Sequence, residues 1–112
     1  MAQRRDDVRD TAAVFEQALS EGAYDRACAV LAPATVEELE RSAGSPCAEA
    51  VREESLPAGG APQRTDVYGN QARAVLVSDT LFLSHFSSGW KVVAVGCEPQ
   101  PTRPYQCRIE GG

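Results

Sequence analysis

The chain has 112 residues, enough for one domain with one core and too few for two. Hydrophobic residues make up 43% and charged residues 24%, a globular balance that excludes a wholly disordered chain. A net charge of -5 argues against nucleic acid or an anionic membrane surface as partner, since affinity there comes from Lys and Arg neutralising phosphates.

No apolar run approaches the ~20 residues that span a bilayer. The opening MAQRRDDVRD is charged and leads straight into a helical pattern, so it does not read as a signal peptide, and it carries no lipidation motif. Any membrane association is therefore expected only through an anchor outside these residues. One domain is expected over residues 7–112, with residues 1–6 as an N-terminal extension.

From Asp7 to Ser20 the apolar residues Val8, Ala12, Phe15 and Leu19 fall on one face of an amphipathic helix, and Gly22 is the expected stop. Tyr24 to Leu31 reads as a short second helix carrying Cys28. After Pro33, Thr35 and Glu38 have capping-box spacing, and Val36, Leu39 and Ala43 carry a third helix to Gly44. Ser45-Pro46 suits the start of a fourth helical piece, with Ser45 as cap and Pro46 as its first residue, bearing Cys47, Ala50 and Val51. Pro57 to Pro62, PAGGAP, is short enough to be a loop within one domain.

Beyond that loop the periodicity turns strand-like. Strands are expected over residues 64–68, 72–77, 80–86 and 90–96, with turns at Gly69-Asn70, Ser78-Asp79 and Ser87 to Gly89. A fifth, edge strand is expected from the tail, at Tyr105 to Ile109. In the third strand Phe82 and Phe86 share one face and Leu81 and Leu83 the other. In the fourth, Val92 and Ala94 lie with Trp90, and Val93 and Val95 with Lys91. Both faces of these two strands are partly apolar, so the tail or a partner is expected to cover part of the second. Trp90 is expected beneath the first helix, near Phe15 or Leu19.

Four cysteines, none in a C-x-x-C arrangement, point to two disulfides and an oxidising compartment. Of the three pairings four cysteines allow, Cys28 with Cys47 and Cys97 with Cys107 agree best with this element order. The second pair brackets a Pro-rich loop and pins the tail to the last long strand. With one histidine and no ribbon spacing, no metal site and no bound cofactor are expected.

Helices first and a meander of strands afterwards means α+β: helices packed on a curved antiparallel sheet of four to five strands. The long first helix, the stretch CAVLAP and the ending GWKVVAVGC resemble the NTF2-like (cystatin-like) superfamily. The chain is more narrowly similar to small extracytoplasmic and lipoprotein domains of actinobacteria, whose ends resemble the GC…P…YQC…GG seen here. The resemblance implies a sheet wrapped as a cone around a helix, with a ligand pocket or an active site inside.

His85, the sole histidine, is the one side chain suited to proton transfer near neutral pH, yet no orienting carboxylate can be named for it. Ser84 and His85 are sequence neighbours in a strand and point to opposite faces, so they do not pair. Enzymatic relatives resembling steroid isomerases use a strand carboxylate with a tyrosine. Asp66, Asp79 and Tyr68 are the residues of those types here, and no motif carries the roles over. The acids Glu37, Glu38, Glu40, Glu49, Glu53 and Glu54 read as solvated helix faces.

The sequence therefore points to a non-catalytic, extracytoplasmic binding or interaction module, with Tyr68, His85 and Trp90 as the ligand-binding candidates and no catalytic centre of its own. Its expected partner is a protein or a small apolar ligand, with homodimerisation through the outer sheet face as a further option. The alternative is a small NTF2-like enzyme, of isomerase or hydrolase type, with its active site in the cone.

Overall fold

The structure, a computed structural model, describes residues 2–101 and 105–111; the centre of the Pro-rich loop between Cys97 and Cys107 lies outside the described residues. Among the described residues four helices precede a five-stranded antiparallel sheet: α1 (Ala2–Glu21), α2 (Tyr24–Ala29), α3 (Pro33–Ala43), α4 (Cys47–Glu54), β1 (Pro62–Tyr68), β2 (Gln71–Leu76), β3 (Thr80–Phe86), β4 (Gly89–Pro99) and β5 (Tyr105–Glu110). The strands pair in chain order as an open meander. The fold is α+β. Among the described residues no helix is long and apolar enough to cross a membrane.

α1 buries Val8, Ala12, Phe15, Ala18 and Leu19. Against that stripe β2 contributes Ala72, Ala74 and Leu76, β3 contributes Leu81 and Leu83, β4 contributes Val92 and Val95, and β5 contributes Ile109. Phe15, Leu81 and Leu83 are fully buried, so the space between helix and sheet is filled by side chains. Burial of each such residue stabilises by about 1.5–3 kcal/mol.

Four details differ from the sequence reading. α1 begins at Ala2, so the residues expected as a separate extension continue the first helix. Arg4 there donates from Nη2 to the carbonyl of Gly69 at 2.6 Å and to Asn70 Oδ1 at 3.3 Å, tying the start of α1 to the β1–β2 turn.

α2 ends at Ala29, and Leu31 forms a parallel bridge with Val92 instead of a further helical turn. Two backbone bonds hold it there, Val92 N to Val30 O and Ala32 N to Val92 O, each 2.8 Å. β5 pairs with β4 only from Ala94 onward, so this segment satisfies the part of the β4 edge that β5 leaves free.

Neither cap forms as read. α3 starts from Ala32 with Pro33 at its first position, because proline's fixed φ is already helical. Thr35 is thereby drawn inside, fully buried, and its hydroxyl donates 3.1 Å to the Val93 carbonyl. The N-cap position of α4 is Pro46 rather than Ser45, and Glu40 Oε2 accepts from the Cys47 N–H at 2.8 Å. The Ser45 hydroxyl points to Glu53 Oε1 instead, at 3.3 Å.

β4 carries a bulge. Phe82 pairs with Ala94 but Leu83 pairs with Val92, which leaves Val93 as the extra residue. The alternation slips by one, so Val95 and Cys97 continue the buried row begun by Trp90 and Val92, in place of joining Lys91. Ala94 stands opposite Phe82, and the ring of Tyr105 meets Phe82 edge-on at 4.9 Å between centroids. The tail thus covers part of the second apolar face.

The disulfides join Cys28 to Cys47, linking α2 to the start of α4, and Cys97 to Cys107, directly opposite each other on β4 and β5. Two intramolecular disulfides belong to an oxidising, non-cytoplasmic setting. Gly111 then passes over α3 so closely that a Cβ would sit 2.4 Å from the Thr35 Cα. Only glycine fits that crossing.

Candidate functional site

Tyr68, His85 and Trp90 do not form one site. Tyr68 ends β1 and is 60% exposed, next to the Gly69-Asn70 turn. His85 and Trp90 are a cross-strand pair with ring centroids 5.1 Å apart, and His85 is exposed while Trp90 is buried. Trp90 does lie under α1, but it meets the N-terminal half, where the Arg4 guanidinium stands 5.4 Å from the ring centroid. A shallow polar depression of about 320 Å³ lies beside the pair, bordered by Asp7, Asp10, Thr11 and Ser88, and Tyr68 takes no part in it. With Arg4 covering its ring, Trp90 closes the core and offers little face to a ligand.

A different residue has the features of a site. Glu16 lies on the border of the apolar stripe of α1, one turn after Ala12 and three residues before Leu19, so the helix points it toward the sheet side. The 57–62 loop crosses over it. Only 5% of Glu16 remains exposed. Its Oε1 accepts from the Gly59 N–H at 2.5 Å, and among the described residues no group donates to Oε2, which is also buried.

Gly59 is held from both sides, because its carbonyl accepts from the Ser78 N–H at 2.9 Å. A Cβ at this position would lie 2.7 Å from the Asp79 Cβ and 2.9 Å from Leu76 Cδ1. The loop can therefore pass between α1 and the β2–β3 turn only as glycine. On the far side, the Asp79 carboxylate accepts from Thr80 N at 2.7 Å and from Gly96 N at 3.2 Å.

The electrostatics follow from this burial. Loss of water pushes the Glu16 carboxyl up from 4.5 to about 7; the Gly59 N–H pulls it down in part, and the charge of Asp79 pushes it further up. Burial also raises the Asp79 carboxyl above its ordinary value, against the pull of its backbone donors. Asp66 behaves oppositely on the outer sheet: its bond to Arg73 at 2.7 Å holds it below the usual carboxylate range.

Beside Glu16 a pocket of about 280 Å³ opens between α1 and the loop, walled by Ala13, Ala58, Gly60, Ala61 and Pro62. Gln17 and Ser20 add polar atoms to its lining, but Gln17 Nε2 donates to Glu21 Oε2 and the Ser20 hydroxyl donates to the Gln17 carbonyl. Small apolar walls with one convergent, strongly perturbed group are the usual form of a small-molecule site. Among the described residues no cluster of three or more His, Cys, Asp or Glu side chains could hold a metal ion.

Sequence reasoning passed over Glu16 because an acid in an amphipathic helix reads as solvent-facing. The available signal was its place beside the Val8–Ala12–Phe15–Leu19 stripe, with a Gly-Gly loop later in the chain able to cover it. Compared with known protein families, curated proteins and solved structures, the chain finds no match.

Proposed function

We propose that this chain is a non-catalytic extracytoplasmic module that binds a small, mainly apolar ligand between α1 and the 57–62 loop. The observation that carries the reading is Glu16, nine-tenths buried with one carboxylate oxygen unpartnered, at an apolar-walled pocket. An orphaned buried acceptor costs about 1–3 kcal/mol. A ligand that donates to it recovers that cost on binding.

Membership of the NTF2-like superfamily, kinship with actinobacterial lipoprotein domains, and secretion or anchoring at the outer membrane face rest on the sequence resemblance; the disulfides support the compartment. The expected cone interior is occupied by Phe15, Leu81 and Leu83, which favours a site at the flank of α1 over one at the centre of the sheet.

The enzyme reading draws on one observation, a carboxyl near 7 in an apolar pocket, which suits a general base. Catalysis also needs a group that stabilises developing charge. The lining has neither lysine, arginine nor tyrosine, and binding asks for less.

Amide NMR spectra during a screen of small fragments test the proposal. Shifts confined to Ala13, Gln17, Ser20 and residues 58–61 are expected. Shifts only around His85 and Trp90, or none with any fragment, would reject it.

A further inference from the structure

The polar groups of the Glu16 pocket are unequal in kind. One amide N–H of Gln17 and the Ser20 hydroxyl are directed to Glu21 and to the α1 backbone. Glu16, whose Oε2 is buried without a donor among the described residues, lines the space, and no Lys or Arg is in that lining. A second carboxylate, Asp79, lies behind Gly59. The site therefore sets one acidic acceptor, with a second carboxylate behind it, among small apolar side chains.

We propose that the ligand is a small primary or secondary ammonium with a short apolar body, its N–H groups donating to Glu16 and its hydrocarbon lying against Ala13, Ala58, Ala61 and Pro62. This rests on the binding-module reading above. A carboxylate or phosphate ligand meets repulsion from Glu16 and Asp79. A neutral hydroxyl satisfies Oε2 but leaves the buried charge uncompensated. An ammonium does both, and charge-assisted bonds are about twice as strong as neutral ones.

The terminal torsion of glutamate is soft, so the carboxylate can turn, both oxygens together, to present one of them to the ligand. The volume of about 280 Å³ limits the body to a short chain or one ring. The chain's net charge of -5 favours approach of a cation.

The test is a calorimetric and NMR titration of the folded, disulfide-bonded protein with n-butylammonium, n-butanol and n-butyrate, repeated on Glu16→Gln and Ala13→Leu. Butylammonium is expected to bind about tenfold or more tighter than butanol, with butyrate not binding. Glu16→Gln should shrink the ammonium preference to within about twofold, as expected when the charge-assisted bond is lost, while butanol still shifts the pocket amides. Ala13→Leu, which fills the pocket and spares Glu16, should abolish both. Equal binding of butanol and butylammonium to the unmodified protein, or a preference for butyrate, overturns the ammonium assignment and leaves the pocket standing. No response at the pocket to any of the three overturns both readings.

Discussion

Replacing Glu16 by glutamine should change how stability depends on pH. In the unfolded chain the carboxyl titrates near 4.5, and in the folded chain at about 7. Below the lower value both states keep the proton; above the upper value both have lost it. Between them the unfolded state ionises first, so stability falls as pH rises. Over that window the loss amounts to about 3 kcal/mol. That is a large part of the roughly 5–15 kcal/mol that holds a domain folded. Asp79, also raised, adds loss in the same direction, while Asp66 and Glu21, both lowered by arginines, act oppositely. Comparison with Glu16→Gln isolates the contribution of Glu16, since glutamine can still accept from Gly59 and never ionises. Urea denaturation at about pH 4 and about pH 8.5, disulfides intact, should show the variant gaining about 3 kcal/mol relative to the parent at the higher pH. Parallel profiles, agreeing within about 0.5 kcal/mol, would refute the burial argument.

Gly111→Ala places a methyl 2.4 Å from the Thr35 Cα and should cost at least about 1–3 kcal/mol by denaturation; an unchanged midpoint would mean the tail does not cross α3 so closely. Trp90→Ala should cost roughly 3–5 kcal/mol, and a loss below about 1 kcal/mol would mark it as a surface aromatic. Arg4→Ala, by contrast, should alter tryptophan fluorescence while costing only about 0.5–1 kcal/mol, and an unaltered spectrum would contradict the cation–ring contact. Non-reducing peptide mapping should recover Cys28 with Cys47 and Cys97 with Cys107, and removing either bond should cost roughly 3 kcal/mol; any crossed peptide would contradict the pairing.

Element order was legible because it is written in local periodicity: Val8, Ala12, Phe15 and Leu19 repeat at helical spacing, and the strands after Pro62 alternate. Whatever depended on distant neighbours was not. The bulge at Val93 cannot be read from GWKVVAVGC, since apolar residues occupy both phases and only pairing with β3 and β5 selects one. Thr35 and Glu38 have capping-box spacing, but Pro33 starts the helix earlier and the Val93 carbonyl claims the hydroxyl. Leu31 continues a helical pattern by composition, yet the free edge of β4 draws it into a bridge. Residues 2–6 show no apolar stripe, and their helix is anchored through Arg4 to a turn far along the chain. Only its residue type recommends Tyr68 as a ligand contact, and its place at a strand end leaves it in solvent. Glu16 is the clearest case: its burial is decided by Gly59, 43 residues away, which no helical wheel contains.

The most direct measurement is the titration of the Glu16 carboxyl itself, followed by carbon NMR on a glutamate-labelled sample, with Glu16→Gln supplying the assignment. A midpoint near 7 that falls when n-butylammonium is added is the expected result, because a cation in the pocket favours the ionised form. A midpoint near the ordinary 4.5, unmoved by the amine, would contradict both the buried carboxylate and the site built around it.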